Sequence, residues 1–126
     1  MTTLNVTNIR ILARALRDLT LAKEGKLGFS MATVRSTGGE VYDQSGYNNE
    51  TVGCIAAWAN AVLYNVFDDG DKFSANASEA FGFTKDDGRL SELFMPYGWL
   101  HDPQLFPPSR VADVLDHLAE TGEVKW

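Results

Sequence analysis

The amino-acid sequence predicts a mainly α-helical fold, a single compact helical domain of about five helices over residues 1–126 around a buried central helix. Three observations carry that expectation. Several segments place apolar residues at i, i+3, i+4 and i+7. One run, Val52 to Phe67, is apolar on nearly every face. The chain has 126 residues, 44% hydrophobic and 22% charged, a length at which roughly two thirds of the unfolded surface can be buried without metals or disulfides. A single cysteine, Cys54, leaves no internal disulfide to make.

The first helix is expected over Asn5 to Thr20, with Ile9, Leu12, Ala13, Leu16 and Leu19 on its apolar face and Asn5 as cap. Its other face carries Arg10, Arg14 and Arg17, with Asp18 spaced to pair with Arg14. A charged stripe of this kind is ordinarily a solvated face. Gly25 and Gly28 end the pattern. Residues 29–49 then read as a long irregular loop around a short apolar patch, Phe29 to Val34, or as a small hairpin pairing Ala32–Val34 with Glu40–Tyr42 across Gly38-Gly39. The central helix is expected over Thr51 to Phe67, its alanines allowing close approach of neighbours. A short helix follows from Ser74 or Ala75 to Phe81, stopped at Gly82. Thr84 with Asp87 three residues on resembles a capping box for a helix bearing Leu90, Leu93 and Phe94, closed by Pro96. Tyr97 to Pro108 reads as an aromatic, packed loop. Pro108 suits the first turn of a last helix with Val111, Val114, Leu115 and Leu118 in one stripe and Gly122 as C-terminal cap, after which Val124 and Trp126 are expected to fold back on the core.

Charge narrows the function classes. Eleven Lys plus Arg against 17 Asp plus Glu leave a formal net charge of −6, which disfavours direct nucleic-acid binding and anionic membranes. The apolar run falls short of the roughly 20 residues of a membrane-spanning helix, and Met1 to Asn5 opens no basic and then apolar leader, so the cytoplasm is the expected location. The acidity is also uneven. Residues 1–35 hold six basic and two acidic residues, net +4, whereas residues 36–126 hold five basic and fifteen acidic, net −10.

Few residues suggest catalysis or cofactors. Asp68, Asp69, Asp71 and Glu79 invite comparison with a calcium loop, but the required positions three, five and six are Gly70, Lys72 and Phe73. The expected reading is a solvated acidic helix end, with no metal and no cofactor. Cys54 with His101 is the one Cys and His combination that could act as nucleophile and base, with Asp102 or Asp116 as orienter and His117 as the other base. Cys54 stands among Val52, Ile55 and Ala56, where a buried packing role is the simpler expectation. His117 reads as a surface residue of the last helix. No phosphate-binding glycine loop, His-Glu-x-x-His or glycine-flanked nucleophilic serine is present.

A set of short motifs runs in order: Phe29-Ser-Met31, Thr51-Val-Gly-Cys54-Ile-Ala-Ala-Trp58, Ala80-Phe-Gly-Phe83, Leu93-Phe-Met-Pro96 and Thr121-Gly-Glu-Val-Lys-Trp126. From about Phe29 to Trp126 the chain resembles a family of small bacterial and phage proteins with a Cys-Gly-Thr-x-x-Cys-Ile-Ala-Gly-Trp core and a Thr-Gly-x-Val-x-Trp ending. That resemblance implies a helical domain and no established activity. Asn49 and Glu50 stand where that core has its first Cys and its Gly, and Ala57 replaces the Gly before the Trp, so a two-cysteine site is not available.

The function expected from these readings is a non-catalytic protein-binding module of phage or mobile-element type, an acidic inhibitor of a host nucleic-acid-handling complex in the manner of an anti-CRISPR. Asp68, Asp69, Asp71, Asp86 and Asp87 are its expected partner-binding acids, with Arg10, Arg14 and Arg17 as the basic counterpart. An acidic surface can occupy a Lys and Arg groove built for phosphates. The plainer alternative is that the acidity only keeps the domain soluble. Two other classes compete: a small thiol- or carboxylate-dependent enzyme with a pocket walled by Trp58, Tyr97 and Trp99, and an oligomeric structural protein.

Overall fold

The structure is a computed structural model that describes residues 4–39, 41–68, 70, 72–96 and 102–126. It is mainly helical, as expected, but it also holds a small three-stranded sheet that the helical reading omitted.

Helix α1 (Val6–Asp18) starts where Asn5 caps it, the Asn5 Oδ1 accepting the Asn8 N–H at 3.0 Å. Ile9, Leu12, Ala13 and Leu16 are buried, as their spacing requires. The helix stops short of Thr20, because Leu19 adopts a left-handed conformation at φ 53° and a single further turn, α2 (Thr20–Lys23), leaves in a new direction. A leucine held this way costs about 1–2 kcal/mol, offset by packing of its side chain on the core.

The central segment needs the largest correction. Thr51 to Phe67 is not one helix: Thr51–Gly53 is a strand, β3, and the helix α3 spans Ile55–Tyr64. Thr51 and Val52 are β-branched and favour extended backbone, and Gly53 lets the chain pass so close that a Cβ there would overlap the Ala57 Cβ and sit 2.8 Å from the Val34 carbonyl oxygen. At the other end Asn65 turns left-handed at φ 56°, which asparagine tolerates, and stops the helix before Val66 and Phe67. Ile55 to Ala61 are all buried, so the run apolar on every face does mark a helix wrapped by neighbours.

The hairpin expected within residues 29–49 does not form. β2 (Arg35–Thr37) pairs antiparallel with β3 instead, and β1 (Gly28–Phe29) pairs with β3 in parallel, giving the order β1-β3-β2. Gly38 and Gly39, at φ 100° and 76°, turn the chain away after β2, and both donate their N–H groups to the Glu50 carbonyl oxygen. Glu40 lies outside the described residues.

The remaining loop is organised by one buried carboxylate. Asp43, 4% exposed, accepts the N–H groups of Phe29 (3.0 Å), Ser45 (2.9 Å) and Asn49 (2.8 Å), and the Asn49 side-chain amide at 3.1 Å. Gly28 makes this possible, since any Cβ there would collide with that carboxylate. Trp58 ties the same strand to the core: its Nε1 donates to the Gly28 carbonyl oxygen at 2.8 Å, and its ring meets Phe29 edge-on.

α4 (Phe73–Phe81) ends at Gly82, φ 83°, as its sequence signals. It is held on α3 by Asn60, which is fully buried; its Nδ2 donates to the carbonyl oxygens of Ala56 (2.7 Å) and Phe73 (2.9 Å), and its Oδ1 accepts from Asn76 at 3.0 Å. The capping box at Thr84 is not made. α5 spans Arg89–Phe94, and Asp87 instead accepts the Arg89 N–H at 2.9 Å while binding its guanidinium at 2.6 Å. A 3-10 turn (Pro103–Leu105) leads into α6 (Pro108–Thr121), which begins at its proline, ends at Gly122 with φ 80° and packs lengthwise on α1. Trp126 does fold back, its Nε1 donating to the Glu92 carbonyl oxygen at 2.6 Å and its ring meeting Phe106 edge-on. No helix among the described residues is long and apolar enough to cross a membrane.

Candidate functional site

The charged residues singled out in the sequence have different fates. Arg10 is exposed, and Arg14 is solvated, pairing with Asp18 at 3.6 Å as its spacing suggests. Arg17 is not part of a free stripe: it reaches α6 and binds Asp116 and Asp113, each at 2.8 Å. Its hydrogen bonds to the Asp116 and then the Asp113 carboxylates hold its guanidinium charged above its ordinary range. Asp116 is therefore engaged as a structural partner rather than free to orient a catalytic base. Asp68 and Asp86 are exposed. Asp87 is not a free acid, because its side chain is only 15% exposed and the Arg89 hydrogen bond holds its carboxyl below the ordinary 3.8. Asp69, Asp71, Tyr97, Trp99 and His101 lie outside the described residues, and with them the expected Cys54–His101 pair and part of the acidic cluster.

Trp58 does not wall a pocket, being fully buried with its indole N–H bound to backbone. A different hollow is present. A cavity of about 300 Å³ opens between the Met31–Val34 segment and helices α3, α4 and α5. Met31, Cys54 and Ala56, at 1%, 8% and 1% exposure, form its floor, and Val34 and Met95, at 45% and 53%, stand at its mouth. Leu90 and Phe94 complete the apolar wall, and the hydroxyls of Thr33, Ser74, Ser78 and Ser91 supply its polarity; among the described residues no charged side chain lines it.

Cys54 is the residue there with reactive chemistry, and its setting suppresses it. Burial pushes the thiol above its ordinary 9.0, outweighing the backbone N–H groups of Ala56 and Ala57 at the start of α3 that favour the thiolate. At neutral pH it stays a thiol, and the thiol is a poor nucleophile. Cys54 is thus the buried packing residue that its neighbours suggest. A second hollow, lined by Gly38, Gly39, Tyr42 and Asn48, has Asp43 at its edge. Burial alone would raise that carboxyl, but hydrogen bonds from the Ser45 side chain and the Asn49, Phe29 and Ser45 backbone lower it below 3.8. It is an ionised structural anchor. Among the described residues no group of His, Cys, Asp and Glu is placed to hold a metal ion.

Compared with family models, with curated proteins and with solved structures, the chain finds no match.

The cavity escaped the sequence reading because its walls come from four separate stretches, none of which carries a motif. Asp43 did leave a signal. Asp followed two residues on by Ser and three on by Gly is an Asx-turn pattern, and the Ser45 N–H donated to the Asp43 Oδ1 is that turn.

Proposed function

We propose that the protein is a non-catalytic binding module whose partner is a protein with a basic surface. One observation carries this reading: among the described residues, more acids than bases stand exposed without an ion pair. Arg14, Arg17, Lys26 and Arg89 are each paired with carboxylates. Asp68, Glu79, Asp86, Glu120 and Glu123 are exposed and make no ion pair among the described residues. Against these and the other unpaired exposed acids stand five exposed bases without an ion pair, Arg10, Lys23, Lys72, Lys85 and Lys125, so the field of the described surface keeps the acidic sign of the net charge of −6. Such a field speeds encounter with a basic surface and loses effect within a Debye length of about 10 Å at 0.1 M salt. An inhibitor that occupies the nucleic-acid groove of a host complex, as a phage or mobile-element protein would, is the narrower form of the same reading.

The experiment is capture of a partner from a host lysate followed by association kinetics with Asp68→Lys and Asp86→Lys combined. The expected result is association slowed several-fold, more at low salt than at high salt. A rate that does not change, at either salt concentration, rejects the acidic face as the binding surface.

A further inference from the structure

We propose that the cavity between α3, α4, α5 and the Met31–Val34 segment is a binding site for an uncharged, apolar small molecule of about bicyclic aromatic size. The reading is independent of the acidic face and uses none of its residues. The cleft, about 300 Å³ and open at its mouth, falls at the lower end of the roughly 300–1,000 Å³ of small-molecule sites. An apolar cavity of about 150 Å³ holds benzene, so this one has room for roughly two fused rings.

The lining decides the chemistry. Met31, Ala56 and Phe94 offer apolar contact, and among the described residues no Lys, Arg, His, Asp or Glu lines the space. A buried charge without a partner is strongly disfavoured, so the ligand carries none. Ser91 and Thr33 can exchange a hydrogen bond with one hydroxyl or carbonyl group, which fixes orientation without demanding ionisation. Access is through the mouth, where Val34 and Met95 keep 45% and 53% of their surface exposed. Covering those two side chains is an additional gain of binding.

The probe is 1-naphthol, with naphthalene-1-sulfonate as its charged counterpart, and the readout is calorimetric titration. The expected result is saturable binding of 1-naphthol, with binding of the sulfonate weaker by about tenfold or more. Ser91→Phe and Ser74→Phe, made separately, place a ring in the cavity from two helices. Both positions are exposed, so each variant is expected to fold, with circular dichroism as the check, and to lose binding about tenfold. Absence of saturation up to the solubility limit overturns the proposal. So does binding that survives both plugged variants, or equal affinity for the sulfonate.

Discussion

At the scale of single residues the fold depends on a few polar groups that no periodicity announces. Asp43 is the clearest, because its carboxylate replaces a missing strand partner for the Phe29 N–H and closes the loop onto Asn49. Asp43→Asn keeps the shape but turns one acceptor oxygen into a donor facing N–H groups. It should cost about 1–3 kcal/mol, the price of unsatisfied buried hydrogen-bonding groups, measured as a drop in urea midpoint at constant slope. Gly28→Ala should match or exceed that loss through a different route, the collision of its Cβ with the same carboxylate. If both variants unfold at the wild-type midpoint, Asp43 is not the organiser of the loop. Cys54 was legible from its apolar neighbours, and so was the Arg14–Asp18 pair from its spacing. Arg17 was not, since its spacing on α1 says nothing of Asp113 and Asp116, some hundred residues away in the chain.

Elements were legible in proportion to how local their causes are. α1, α4 and α6 follow from stripes, an asparagine cap, and glycines at the ends, all written within the segment itself. The sheet has no such local cause. β1 and β3 are two and three residues long, and what makes them strands is their pairing across more than twenty positions of sequence. An apolar run such as Thr51 to Phe67 reads as one helix because periodicity cannot separate a buried strand from a buried helix. The α1–α6 pair supplies a graded test of which forces hold elements together. Leu115→Ala, fully buried in α6, should cost about 2–5 kcal/mol. Gly122→Ala, at a left-handed cap with φ 80°, should cost about 1 kcal/mol. Arg17→Ala removes two ion pairs whose guanidinium is 45% exposed, and should cost about 1 kcal/mol or less, shrinking further in high salt. Thermal or denaturant unfolding that ranks Arg17 above Leu115 would make charge, rather than burial, the glue between these helices.

For the whole molecule, charge and titration together set a pH profile whose shape can be worked out. Asp43 and Asp87 are held below the ordinary 3.8, so their stabilisation is fully present above that value and disappears as pH falls through their lower folded values. Cys54 is shifted the other way. Its folded thiol titrates above 9.0, so the unfolded chain ionises first and stability declines as pH rises past that value. Between these limits the net charge acts. At pH 7 the chain carries −6, and moving toward the pI of about 4.7 relieves the repulsion among outward-facing carboxylates. Unfolding temperature should therefore be highest at about pH 5–6 and fall steeply below about pH 4. Each limb has its own signature: Asp43→Asn should flatten the acid fall relative to its own neutral value, and Cys54→Ala should flatten the decline between about pH 8 and about pH 10. Salt separates the middle term. Raising ionic strength from about 10 mM to about 150 mM at pH 7 screens both the repulsion and the surface ion pairs. Because among the described residues more exposed acids than exposed bases lack an ion pair, the unfolding temperature should rise. A fall would mean that the few surface pairs outweigh the acidic field, and it would remove the electrostatic imbalance on which recognition of a basic partner depends.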